Sequence, residues 1–179
     1  MVLTKVDISR GKHPARQAEQ LYWKAFPKEE RLPWCVLRLN ARRSGIDLTA
    51  WMDGGKFCGF TASVTEGKLH FLLFFAVAED CRGQGYGSAI LRQLQEEFAE
   101  VVLNVELLDP QADNFEQRQR RFAFYQRNGF HDTFHHVWEV GGKFRVLGTN
   151  PDLDVGAYKK IFKKLTLGLW NVKVLPAKR

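Results

Sequence analysis

Cysteine is scarce in this chain: Cys35, Cys58 and Cys81 are the only three in 179 residues, with no C-x-x-C pair and no histidine at ligand spacing. That excludes a disulfide framework and a cysteine-based zinc site. Long apolar runs are lacking too, since none approaches the roughly 18 residues that a membrane span needs, and no apolar segment follows the start. Repeats, linkers and low-complexity tracts are also missing. These absences lead us to expect one soluble domain over residues 1–179, in a reducing, cytoplasmic setting, with neither membrane nor metal as partner. A monomer or a homodimer is compatible with them.

Acidic residues are outnumbered, 20 against 27 Lys and Arg, for a formal net charge of +7. Such an excess suits an acidic ligand or a well-solvated surface. The basic tail from Asn171, beside Trp170, brings nucleic acid to mind. The chain has no basic helix with base-reading residues and no aromatic stacking sheet motif, which argues against it. His135 and His136 are adjacent in a strand-like run, so they point to opposite faces and cannot share one metal.

With 45% hydrophobic and 13% aromatic residues there is enough apolar material for one core. Residues 2–8 read as a strand. Ala18, Leu21, Tyr22, Ala25 and Phe26 follow at helical spacing, and Pro27 closes that helix. Two prolines, Pro27 and Pro33, bracket a charged turn before a second short helix. Asp53-Gly54-Gly55 signals a hairpin between strands 46–52 and 57–64. A third strand, 68–78, carries an apolar run consistent with burial on both faces. Helix 87–100, strand 101–108, helix 116–128, two strands (130–140 and 143–147) joined at Gly141-Gly142, and a last helix after residues 151–154 complete the order.

Between the third strand and the following helix lies Arg82-Gly83-Gln84-Gly85-Tyr86-Gly87-Ser88. Glycines allow close backbone approach, and the first amides of a helix have no internal partners, so such a turn favours anions. A Walker A loop would need a lysine after the last glycine, and Gly87-Ser88-Ala89 has none. A dinucleotide fingerprint would need G-x-G-x-x-G in a βαβ unit. Here the glycines are spaced two apart and follow antiparallel strands.

The element order, the motif Arg82-x-x-Gly85-x-Gly87 and the aromatic helix Phe122-Ala123-Phe124-Tyr125 ending at Gly129-Phe130 together resemble the GNAT superfamily of N-acyltransferases. The resemblance covers nearly the whole chain. It implies an α/β (α+β) fold with a mixed, mostly antiparallel central sheet of about seven strands and helices on both faces. It also implies acetyl-CoA or another acyl-CoA as co-substrate, without metal. The pyrophosphate would rest on Gly83, Gln84, Gly85, Tyr86, Gly87 and Ser88 with Arg82 at the mouth, and the pantetheine would bond the main chain of Phe75, Ala76 and Val77. Tyr125 is the expected acid for the departing thiolate. Glu106 is the candidate base, because a carboxylate in an apolar strand needs a partner or a task. Its other reading is an ion pair with an arginine of residues 118–121, and a water relay would replace it as base.

The amine acceptor is expected near Glu29, Glu30, Arg31 and Trp34, where the family builds its acceptor site. There Glu29 or Glu30 would hold a cationic acceptor and Trp34 would wall the pocket; the other reading of a charged turn with one tryptophan is surface plus anchor. The chain departs from the family at Arg118, where many members have an asparagine that contacts pantetheine. The implied activity is transfer of an acetyl or acyl group to an amine by direct attack in a ternary complex. The alternative is a non-catalytic acyl-CoA-binding or protein-interaction module on the same fold.

Overall fold

The computed structural model describes residues 1–11, 13–139, 142–168 and 172–177. Over these residues eight strands and five α-helices alternate in a mixed α/β order, and the chain divides into two compact units. Gly141 of the expected hairpin, Trp170 and part of the basic tail (residues 171, 178 and 179) lie outside the described residues.

The first unit comprises residues 1–65 and 72–97. Strand β1 (Thr4–Asp7) pairs antiparallel with β2 (Ile46–Asp53), which pairs antiparallel with β3 (Lys56–Glu66). Next in the sheet order comes β4 (Leu69–Val77), whose residues from Leu72 onward belong to this unit. Gly54 and Gly55 join β2 to β3 with φ of +52° and +93°. Two successive positive φ values give a turn whose twist matches that of the strands. Gly59 lets β3 lie close to β4: a Cβ there would stand 2.4 Å from the Ala76 carbonyl oxygen.

Helix α1 (Pro14–Ala25) starts with proline, whose missing N–H is no loss in the first turn. It stops before Pro27, which would remove a hydrogen bond and clash with the preceding turn. Its buried Ala18, Leu21 and Tyr22 recur at the period of one helix face. Helix α2 (Trp34–Asn40) buries Trp34 and Leu37, and α3 (Tyr86–Glu97) buries Tyr86, Ala89, Ile90, Leu91 and Leu94. Each fully buried large apolar side chain contributes about 1.5–3 kcal/mol, and the buried rings of Tyr22, Phe60 and Phe74 cluster with half-buried Phe26.

The second unit comprises residues 66–71 and 98–179. Its strands run in the order β5 (Glu100–Glu106), β7 (Gly142–Gly148), β6 (His131–Glu139), β8 (Lys173–Pro176), with every pairing antiparallel. Helix α4 (Phe115–Arg127) follows β5. Helix α5 (Val155–Leu165) is opened by Asp154, whose side chain accepts the Ala157 N–H at 2.9 Å. Tyr158 of α5 is fully buried, and its hydroxyl exchanges hydrogen bonds with the Asn104 side-chain amide at 2.7 and 3.0 Å. Phe71 packs on Tyr158 and Phe162 at 5.6 and 5.4 Å between ring centroids.

The expectation of about seven strands falls one short. Strand β8 is only four residues long and is held by pairing with β6 from His135 to Trp138; so short an alternation carries no readable period. Strand β6 also departs from the expected regular alternation, because Phe134 has φ of 55° and the register shifts between Asp132 and His136. His136 Nε2 is buried without a hydrogen-bond partner among the described residues.

Candidate active site

In the first unit, β4 ends at Val77 and a 3-10 turn, Glu79–Cys81, delivers the chain to the glycine turn. Arg82, Gly83, Gln84 and Gly85 are exposed. Gly83 and Gly85 have φ of +73° and +85°, a region that residues with a Cβ enter at a cost. A Cβ at either position would meet nothing within 4 Å, so conformation, not crowding, is what requires glycine here. The turn is braced from within: Gln84 Nε2 donates to the Asp80 carbonyl at 2.6 Å, and Arg82 Nε to the Val77 carbonyl at 3.2 Å. The Gly85 carbonyl accepts the Ala89 N–H at 3.0 Å and so opens α3. Among the described residues, no backbone acceptor meets the amides of Gly83, Gln84, Gly85, Tyr86, Gly87 or Ser88. Free amides at the positive end of a three-turn helix are the kind of group that attracts an anion. Upstream, Phe75 and Val77 are half-buried and Ala76 is buried.

The same unit holds residues 27–33. Glu29 and Glu30 lie in a 3-10 turn, Lys28–Glu30, and Glu29 is exposed. Arg31 folds back, donating from Nε to the Phe26 carbonyl at 2.6 Å and stacking over Trp23 at 5.5 Å. Trp34 is 5% exposed and packs against Tyr22 and Phe60 at 5.5 and 6.0 Å. Tyr22, which sequence reading took only as a helix-face residue, fastens the segment: its hydroxyl donates to the Leu32 carbonyl at 3.0 Å and accepts the Leu32 N–H at 2.7 Å.

The second unit holds Glu106 and Tyr125. Glu106 closes β5, and its carboxylate faces three donors: Arg121 at 2.7 Å, Arg118 at 3.3 Å and the Asn114 side-chain amide at 3.2 Å. Arg118 also donates to Asn114 Oδ1 at 2.6 Å and to the Leu107 carbonyl at 3.0 Å. At the position where an asparagine was expected, this chain therefore has a guanidinium turned onto the end of β5. Arg120 is exposed. The spacing of Asn114, Arg118 and Arg121, four and then three apart on one helix face, is the signal that identifies this network.

Tyr125 is 8% exposed and lies edge-on to Phe124 and Phe130, at 5.4 and 5.8 Å. Its carbonyl accepts the Asn128 and Phe130 N–H groups, and Gly129, with φ of +81°, makes that return possible. Burial pushes its phenol up to about 12, with Arg121 pulling the other way. At neutral pH the hydroxyl keeps its proton and is a donor, not a base.

Among the described residues no helix is long and apolar enough to cross a membrane, and no group of three or more His, Cys, Asp or Glu could hold a metal ion.

Residues 47–132 match the acetyltransferase (GNAT) domain family. That span contains the glycine turn, Glu106 and Tyr125, and leaves residues 29–34 outside. YjbC of Bacillus subtilis (strain 168), named as an acetyltransferase, is 33% identical over 96 residues, 48% of this chain and 46% of that protein. The match thus spans just under half of that relative's length. A Bacteroides thetaiotaomicron protein named as a GNAT-family acetyltransferase shares the fold with a TM-score of 0.69 at 23% identity, over 95% of this chain and 100% of the other. An aminoglycoside 6'-N-acetyltransferase solved with coenzyme A shares it with a TM-score of 0.64 at 15% identity, over 86% and 98%. Glycine turn, strand order and family match agree, and over residues 47–132 the chain is similar to the acetyltransferase (GNAT) domain.

Proposed function

We propose that the chain is an acyl-CoA-dependent N-acyltransferase that transfers an acetyl or related acyl group to an amine. The observation that carries this reading is the run of amides at Gly83–Ser88, which opens on the exposed residues Gly83–Gly85 at the start of α3 and, among the described residues, meets no backbone acceptor. A diphosphate is the natural anion for a receptor of that length. The CoA bound to the aminoglycoside 6'-N-acetyltransferase of similar fold supports the choice of acyl-CoA. Arg82 stands at the mouth of the turn, and the main chain of Phe75, Ala76 and Val77 is assigned to the pantetheine.

The reaction follows from the groups assigned. A neutral amine attacks the thioester carbonyl, the C–N bond forms, and collapse of the tetrahedral adduct breaks the C–S bond. The CoA thiolate takes a proton from the Tyr125 hydroxyl, which burial keeps protonated. The proton lost by the nitrogen goes to a base. Glu106 is the carboxylate proposed for that task, either directly or through water. A second reading of Glu106 has direct support: both oxygens already meet donors, so it anchors α4 and leaves the amine's proton to water. Glu29, Glu30, Arg31 and Trp34 are proposed to shape the acceptor site, with an acidic side chain holding a cationic acceptor and Trp34 serving as its anchor.

The test is thiol release from acetyl-CoA with a panel of polyamines, aminoglycosides, amino acids and peptide N-termini, alongside calorimetric titration of CoA. Turnover with at least one amine is expected. Tight CoA binding with no turnover on any of them would replace the enzyme with an acyl-CoA-binding module.

A further inference from the structure

The tip of the β2–β3 hairpin reaches both flanks of the glycine turn. Asp53 and Lys56 are the terminal cross-strand pair, separated by Gly54 and Gly55. From this tip Asp53 Oδ2 accepts the Tyr86 hydroxyl at 2.8 Å, and Lys56 Nζ pairs with Asp80 at 3.3 Å and stands 5.9 Å over the Tyr86 ring. Asp80 precedes the turn and its carbonyl holds Gln84; Tyr86 is the first residue of α3. Closing a hairpin requires none of these contacts, since two left-handed glycines and the strand ladder suffice.

The two ties are unequal. Lys56 and Asp80 are 43% and 68% exposed at the side chain, and an ion pair so wet is worth little. Tyr86 is only 9% exposed, its ring is fixed by packing, and its single polar atom ends on a carboxylate. Hydrogen bonds to a charged acceptor are the stronger class. The Asp53–Tyr86 bond therefore sets where α3 begins relative to the hairpin, and with it the direction of the amides just upstream.

We propose that Asp53 is a positioning residue for the donor: by holding the Tyr86 hydroxyl it keeps the turn Gly83–Ser88 in the shape in which its amides receive the diphosphate of acyl-CoA. The inference rests on the acyl-CoA reading above. It assigns a role to a hairpin outside the turn, 33 residues away from its partner in the chain.

The full-length protein, Asp53→Ala, Asp53→Asn and Tyr86→Phe are titrated with CoA by calorimetry, and the KM for acetyl-CoA, the KM for the amine and kcat are measured separately. Loss of one charge-assisted hydrogen bond predicts CoA binding weaker by roughly 10-fold in Asp53→Ala and Tyr86→Phe. Acceptor KM and kcat at saturating donor should hold. Asp53→Asn, whose amide oxygen still accepts but carries no charge, should recover part of the loss, to within about threefold of the wild type. An acetylated pantetheine fragment without the diphosphate should serve Asp53→Ala and wild type equally. Equal CoA affinity in Asp53→Ala and wild type overturns the inference and leaves the acyl-CoA reading standing, as does an equal loss with the fragment. A wild type that binds no CoA overturns the reading itself.

Discussion

The glycine turn and the α4–β5 patch treat polar groups in opposite ways. At the turn the donors are backbone amides that, among the described residues, meet no backbone acceptor, and side chains serve to hold the loop in shape. At the patch the polar groups are side chains: one carboxylate meets two guanidiniums and an amide, with the phenol of Tyr125 buried nearby on the same helix. Sensitivity to substitution should differ accordingly. The turn should fail when its backbone conformation changes, either at a glycine or through loss of a side chain that braces it, whereas the patch should fail on the loss of a single functional group.

Tyr125→Phe breaks the comparison hardest. It removes one oxygen, and as acid catalyst its loss should lower kcat by about 10² to 10⁴ with CoA affinity unchanged. Unchanged turnover would return Tyr125 to a packing role. Gly85→Val acts on backbone alone. With φ of +85° and open space around its Cβ, it should cost roughly 1–3 kcal/mol of local strain or force the turn to another shape. CoA affinity should then fall by at least about tenfold, and a variant that keeps its CoA affinity would remove the anion receptor from the account.

Glu106→Ala sharpens the patch. It leaves Arg118 and Arg121 without their shared carboxylate, and because the arginines are partly exposed the cost in unfolding free energy should be about 1–2 kcal/mol. Chemical denaturation measures that loss, and Glu106→Gln separates the two roles. An anchor retained through hydrogen bonds keeps kcat within a few-fold, and a base loses it.

The remaining effect is confined to high pH and concerns stability. The phenols of Tyr22 and Tyr125 are both pushed up to about 12 from an ordinary 10.0, chiefly by burial. Between those values the folded chain holds protons that the unfolded chain has released, so stability falls with rising pH in that window. Thermal melting should be level in this respect below about pH 10 and decline through pH 12, less steeply in Tyr125→Phe.

What the sequence made legible was what is local. The glycine turn, the Gly54-Gly55 hairpin, the Pro27 stop and the Gly129 return all rest on backbone conformations that a few consecutive residues dictate. Pairings across long stretches of chain were not legible. Asp53 with Tyr86 and Tyr22 with Leu32 are invisible to any window read along one element. Glu106 lies between the two: its ion pair with the arginines of α4 was one of two readings, and only geometry brings the groups to 2.7 Å. Trp34 was read as pocket wall or anchor for the same reason, since burial depends on Phe60 in a different element.

The pair of hydrogen bonds between the Tyr22 hydroxyl and Leu32 has a consequence for how this protein can change. One phenol stands in for a whole peptide group, giving and receiving at the same residue, so the end of the segment is pinned by a helix instead of by its own side chains. Residues 28–31 form a cassette between that pin and Pro27. Substitutions at exposed Lys28 or Glu29 would alter charge at the surface while the Tyr22–Leu32 pair keeps the entry to α2 in its place.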